Sequence, residues 1–307
     1  MSPVNYLNTF QTLNWEQRIG RQRDWRWRGW QIRYSFLRSQ TDKGRPIVLL
    51  HGFGAAIEHW RHNMPVLSEK YPVYGLDLLG FGGSQKAPAD YSVFRWAEQV
   101  RDFCAAICDQ PVILVGNSLG SLVAMTVAGL YPEQVKALAM ISLPDVAMRE
   151  EQIPAWLWPL VQWSEQLIAS PLLLRTLFPF LRQRAVLKLW TQIAYVRSQA
   201  VTPELIEILA RPPQDEGAAR TFVQLCRSVG GKSFAPAARD ILPQLSLPIL
   251  LIWGEQDRMV PPQIAPRFLR FNPQIEYHLI PSAGHCVHDE CPDLFNQLLL
   301  DWLEQTG

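Results

Sequence analysis

Short unbroken apolar runs punctuate the chain, and each is followed by a glycine-rich or acidic turn. Pro46–Leu50, Val73–Leu76, Val112–Val115 and Leu247–Trp253 are such runs, and Val135–Leu143 and Ile275–Ile280 are further predicted strands, interrupted by Lys136 and by Glu276 and His278. Runs without alternation predict strands buried on both faces of a parallel sheet. Between them lie segments of helical periodicity. Val93, Trp96, Val100, Phe103 and Ile107 form one stripe of a helix over 91–109, and further helices are predicted over 55–69, 263–271 and 293–304. Residues 24–37 instead alternate apolar with polar, as two antiparallel edge strands turning near Gly29 would. The Trp-Arg alternation within them reads as a half-buried strand with solvated arginines.

From 46 to 143 the strand–helix alternation predicts an α/β fold, a parallel sheet flanked by helices. Residues 145–240 break it. Helical patterns there are interrupted by Pro154, Pro159, Pro171, Pro179, Pro203, Pro212 and Pro213, and the first half is rich in Trp, Leu and Phe. The expected organisation is a core built from 1–144 and 241–307, with 145–240 inserted as a helical lid over the carboxyl edge of the sheet. Such an apolar lid would line a greasy pocket or present a patch to a membrane surface or partner. Trp156 and Trp158 are its candidate substrate contacts.

The chain has 307 residues, 48% hydrophobic and 19% charged, enough to bury a large core, and its net charge of +1 gives no reason to expect nucleic acid. Five scattered cysteines suggest reduced thiols, and Cys104 and Cys108, one helical turn apart, are expected in the core. The first ten residues lack the basic-then-apolar pattern of an export signal, and no run of 18 apolar residues occurs. A cytoplasmic protein is expected.

The chemistry concentrates in three turns. Gly116-Asn117-Ser118-Leu119-Gly120 fits G-x-S-x-G between a strand and a small-residue helix, the context of a nucleophile elbow. A side chain at either glycine would strike the neighbouring strand or helix. Asp257 and His285 each follow a later strand, in the order Ser, Asp, His. A serine hydroxyl becomes nucleophilic when a base takes its proton. A histidine can do so at neutral pH, and a carboxylate can hold its tautomer. The His51-Gly52-Phe53-Gly54 turn would supply the Phe53 N–H, with that of Leu119, as an oxyanion hole. Asp145, also at a strand end, is a rival acid. His51 is expected to pack beneath the oxyanion loop and His59 is a candidate pocket residue. His288, Asp289 and Glu290 are expected to cap the closing helix. His285 and His288 lack a third ligand nearby, and no G-x-G-x-x-G follows the first strand, so neither a metal nor a dinucleotide cofactor is expected.

These motifs resemble the α/β-hydrolase superfamily over roughly residues 25–305. The resemblance implies an eight-stranded, mostly parallel sheet with a lid after the sixth strand. The elbow, Gly52-Phe53-Gly54 and the run Gly284-His-Cys-Val-His-Asp-Glu290 resemble most the pheophytinase and chlorophyll dephytylase branch. That branch shows G-N-S-L-G-G and G-H-C-P-H-D-E. His51, Ser121 and Val287 stand where it has Pro, Gly and Pro. The resemblance implies hydrolysis of the phytyl ester of chlorophyll or pheophytin in a bacterial, cyanobacterial-type cell, at the periphery of photosynthetic membranes. Two alternatives stay open: another serine hydrolase of lipophilic esters or of a carbon–carbon bond, and a binding or receptor protein that keeps a slow triad.

Overall fold

The computed structural model describes residues 14–39, 44–146, 170–229 and 233–306. Eight strands form one sheet in the order β1-β2-β4-β3-β5-β6-β7-β8. β1 (Arg21–Trp27) and β2 (Trp30–Leu37) pair antiparallel, turning through Arg28 and Gly29 at positive φ. β2 is also antiparallel to β4 (Val73–Leu76). β3 (Ile47–Leu50), β4, β5 (Val112–Asn117), β6 (Val135–Ile141), β7 (Ile249–Gly254) and β8 (Ile275–Ile280) run parallel.

Successive side chains of a strand point to opposite faces, and here both faces are covered. Ile47, Leu49, Ile113, Val115, Ala139 and Ile252 pack beneath Met64, Leu67, Phe295, Leu299 and Trp302. Val48, Leu50, Leu114, Met140, Leu251 and Trp253 face the other layer, with Val100, Phe103, Val123 and Val127. That is why these strands read as unbroken apolar runs.

The flanking helices are α1 (Val93–Phe103) and α2 (Leu119–Leu130), then α3 (Pro171–Leu181), α4 (Arg184–Ala194), α5 (Pro203–Ala210) and α6 (Ala218–Val229), and finally α7 (Ala265–Phe271) and α8 (Pro292–Thr306). The Ser92 hydroxyl caps α1 by accepting the Arg95 N–H. Cys104 and Cys108 are buried in a π-helical turn that extends α1. Helices α3 to α6 lie between β6 and β7 in the chain, so the described part of the 145–240 insertion is helical. Trp156 and Trp158 lie outside the described residues.

The helix expected over 55–69 is instead a 3-10 turn, Ile57–Trp60, and a separate helical turn, Met64–Leu67. Pro65 has no N–H to continue a helix through it. The intervening residues are drawn inward. Arg61 reaches Asp289 and Glu204, each at 2.7 Å, and Asn63 donates to His288 O and Asn296 Oδ1.

β3 is flanked by β4 on one side and β5 on the other, so the chain reverses its winding direction between β3 and β5. Open α/β sheets bind ligands at such a point. Contact here is close. A Cβ on Gly120 would lie 2.1 Å from Leu50 O, and one on Gly116 would lie 2.3 Å from the Gly120 carbonyl. Gly120→Ala should therefore lower unfolding stability by more than about 3 kcal/mol in urea titrations, well beyond an ordinary helix substitution. Gly29→Ala, at positive φ but with nothing within 4 Å of the added carbon, should cost about 1 kcal/mol. Equal losses at the two sites would contradict this packing.

Candidate active site

Ser118 sits between β5 and α2 with φ 54° and ψ −111°, a combination an L-residue adopts only under constraint. The constraint comes from β6. The Ser118 N–H donates to Ile141 O at 2.9 Å. The buried Ser121 hydroxyl accepts the Ile141 N–H at 3.0 Å and donates to Gly116 O at 2.7 Å. Gly116, Asn117 and Leu119 are buried while Ser118 is only half-buried, so the turn leaves this serine open at the sheet edge.

The loop after β3 crosses directly over the elbow. A Cβ on Gly52 would lie 2.9 Å from Asn117 Oδ1 and 3.5 Å from Ser118 Cβ. His51 braces this loop from below, as expected. Its Nε2 accepts the Leu78 N–H at 3.1 Å, which fixes the proton on Nδ1 and makes Nδ1 the donor to Gly52 O at 2.8 Å. Burial pushes the His51 pKa down to about 4, so the ring is neutral and the tautomer holds. The Phe53 side chain is 46% exposed and stands edge-on to Phe81 at 5.3 Å. Leu119 opens α2, where first-turn N–H groups have no intrahelical acceptor.

Asp257 and His285 are brought together: Nδ1 of the imidazole lies 2.8 Å from Oδ2 of the carboxylate. The other oxygen, Oδ1, accepts the Met259 and Val260 N–H groups, both at 2.9 Å. Burial pushes the Asp257 carboxyl upward. The hydrogen bond and charge of His285 and the Val260 N–H outweigh it and hold the group below the ordinary carboxylate range. It is thus an anion facing the imidazole. The His285 carbonyl accepts from Asn117 Nδ2 at 3.1 Å and from the Ser142 hydroxyl at 3.3 Å. Asn117, beside the serine, therefore ties the histidine loop to the elbow.

The rival acid is elsewhere: Asp145 pairs with Arg267 at 3.1 Å. His288, Asp289 and Glu290 do not cap α8, which corrects the sequence expectation. All three are buried; the His288 ring packs on that of Trp60 at 4.1 Å, and the two carboxylates take other polar partners. Asp289 takes Arg61 at 2.7 Å and the Tyr195 hydroxyl at 2.6 Å. Glu290 accepts the N–H groups of Val196 and Gly284, each at 2.7 Å, and that of Arg197. His59 is buried with Nε2 2.7 Å from the Tyr195 hydroxyl. The His285 N–H itself donates to Ala194 O at 2.7 Å. The end of α4 is thereby stitched to the histidine loop. Asn117, Arg61 and Glu290 were missed as positioning residues. Only Asn117 left a signal, an amide closing an otherwise apolar strand.

A nucleophile-elbow serine, an Asp–His pair and a glycine loop at the switch point of an eight-stranded α/β sheet define a hydrolase class. The chain belongs to the α/β-hydrolase family: the family model described as alpha/beta hydrolase fold matches residues 45–292. It is 27% identical over 277 residues to 2-hydroxy-6-oxo-6-(2'-aminophenyl)hexa-2,4-dienoic acid hydrolase of Metapseudomonas resinovorans, covering 87% of each chain. It is 25% identical over 303 residues to the chloroplastic pheophytinase of Arabidopsis thaliana, covering 84% of this chain and 61% of that one. Among solved structures, a bacterial membrane phospholipase A superposes with a TM-score of 0.77 at 26% identity, covering 98% of this chain and 91% of that one.

Two carboxyls lie behind the oxyanion loop. Burial raises Asp77 to about 6, against the N–H groups of Gly83 and Ile57. Burial and the Asp77 charge raise Glu58 to about 7. A folded-state pKa above the unfolded value gives stability that is full at low pH and lost as pH rises through the folded pKa. Glu58→Gln should therefore match the native chain in urea midpoint near pH 4. It should gain on the native chain up to about pH 7 and keep that advantage at pH 8. A difference independent of pH would contradict the assignment.

Proposed function

We propose that this chain is a serine carboxylesterase acting on lipophilic esters, with the phytyl ester of chlorophyll or pheophytin as its substrate class. The observation that carries the reading is the Asp257–His285 pair, joined through Asn117 to the strained Ser118 turn. In this mechanism His285 Nε2 takes the Ser118 proton as Oγ attacks the ester carbonyl carbon. Asp257 holds the Nδ1 proton and stabilises the imidazolium. The Phe53 and Leu119 N–H groups stabilise the tetrahedral oxyanion. The imidazolium then protonates the departing alcohol oxygen, leaving an acyl-Ser118. Water, deprotonated by His285, attacks that ester, and collapse returns the proton to Ser118 and releases the carboxylic acid. No step calls for a cofactor or metal.

The phytyl assignment is supported by the Gly284–Glu290 run, the pheophytinase relative, and the abundance of Trp and Leu in 156–168, suited to a flat macrocycle and a branched hydrocarbon. A second reading, hydrolysis of a carbon–carbon bond in a vinylogous diketone, is favoured by the Metapseudomonas relative, which is matched over 87% of its length.

The deciding experiment incubates the purified chain with detergent-dispersed chlorophyll a, pheophytin a, a p-nitrophenyl ester and a dienoate diketone, separating products by reversed-phase chromatography. Chlorophyllide or pheophorbide formed by the native chain and absent with Ser118→Ala is the expected result. Turnover of the simple ester or the diketone alone would reassign the substrate. Undiminished turnover by Ser118→Ala would remove the mechanism. Asp257→Asn should lower kcat on the order of 10⁴-fold, as loss of the correct imidazole tautomer does in other triads.

A further inference from the structure

Helices α3 and α4 turn apolar side chains outward. In α4, Val186, Leu189, Trp190 and Ile193 recur at i, i+3, i+4 and i+7, a stripe that in a soluble protein faces the core. Here Leu189 is 60% and Trp190 55% exposed, Ile193 is exposed, and the one fully buried side chain is that of Thr191. In α3, Leu174 and Phe178 are buried, with Phe178 5.2 Å from Phe222 of α6. Leu172 and Phe180 stand 75% and 63% exposed, and Leu173 and Leu177 are also exposed. Seven large apolar side chains on two consecutive helices are more than a soluble monomer normally leaves to water in one place.

Charge selects what covers them. Residues 171–194 carry Arg175, Arg182, Arg184 and Lys188 and no carboxylate, in a chain of net charge +1. Arg184 pairs with Glu207 of α5. Arg175 and Arg182 also line an open groove of about 800 Å³ together with Lys86, Arg220, Asp215 and Glu216, where Lys86 holds Asp215 at 2.9 Å. A second copy meeting this face about a two-fold axis would bring two sets of these cations into one interface. An anionic lipid surface meets both needs, with acyl chains for the leucines and Trp190 and phosphates for the cations. Among the described residues no helix is long and apolar enough to cross a membrane.

We propose that α3 and α4 form a docking face that seats in the headgroup region of an anionic phospholipid bilayer. Phe180, Leu189, Trp190 and Ile193 enter the acyl boundary, while Arg175, Arg182 and Lys188 meet the lipid phosphates. The end of α4 is Ala194, whose carbonyl takes the His285 N–H, so the bilayer would lie close to the histidine loop. This inference extends the membrane expectation from the sequence to named residues, and it stands apart from the identity of the ester.

The test is cosedimentation of the full chain with vesicles of equal parts phosphatidylcholine and phosphatidylglycerol. Binding is expected, and it should weaken at least tenfold for Leu189→Gln/Trp190→Gln/Ile193→Gln. It should weaken about fivefold for each of Arg175→Gln, Arg182→Gln and Lys188→Gln. Vesicles of phosphatidylcholine alone should bind less. The variants should keep native turnover of a water-soluble p-nitrophenyl ester. If no ester is turned over by any form, the esterase reading fails by itself, vesicle binding is still scored, and unfolding midpoints show that the variants fold. Absence of binding to anionic vesicles, or binding indifferent to these substitutions, would overturn the proposal. So would lipid-free dimerisation in sedimentation velocity that the same substitutions abolish, because a second copy would then cover the face.

Discussion

The approach of the Ser118 turn to β3 is the contact on which the rest depends. Gly120 packs against Leu50 O so tightly that no side chain fits between them, and Gly116 packs as closely against Gly120. That proximity brings the loop after β3 over the serine and holds Ser118 at φ 54°. Strain of this kind persists only when surrounding bonds over-determine it. They come from β6, through Ile141 bonded on one side to Ser118 and on the other to Ser121. Ser121 stands where the pheophytinase-like pattern has glycine, and its hydroxyl adds a fixed link between the turn and β6 that a glycine could not make.

A second layer of order is polar and buried. Arg61, Asp289, Tyr195 and His59 form one hydrogen-bonded cluster joining the segment after β3, the histidine loop and the end of α4. Buried ion pairs seldom add much net stability, because desolvation offsets their attraction. Breaking one is costly, however, so such a cluster favours a single arrangement of the elements it joins. With Glu290 holding the Val196 and Arg197 N–H groups, α4 is fixed to the loop that carries His285. Motion of the insertion relative to the core would have to leave this end in place or move His285 with it.

The inner strands β3, β5 and β7 were legible because burial on both faces leaves an unbroken apolar run, whereas the edge strand β8 carries Glu276 and His278 and is buried only at Ile275 and Ile280. Glycine spacing around Ser118, and the positions of Asp257 and His285 just past strand ends, carried the candidate site. The segment 55–69 was not legible as two short turns, because its shape answers to Asp289 and Asn296, more than two hundred residues away. Local pattern carries no trace of such partners. The same distance effect misled the reading of Asp289 and Glu290. Their place just before α8 suggested caps, but a buried Arg61 and the N–H groups after α4 are stronger demands on a carboxylate than a helix start that water can serve.

α4 shows a further limit of periodicity. Its stripe predicts a helix correctly, yet a stripe alone does not say whether protein or another apolar phase lies against it. Burial supplies the sign. With Thr191 inside and Leu189, Trp190 and Ile193 outside, the helix is oriented opposite to α1, where Trp96, Val100 and Phe103 are buried. The cluster at Tyr195 and the Glu290 bonds fix the C-terminal end of α4, so the helix cannot simply roll its stripe inward without breaking them. The outward stripe is therefore a consequence of the same buried polar contacts that hold the histidine loop.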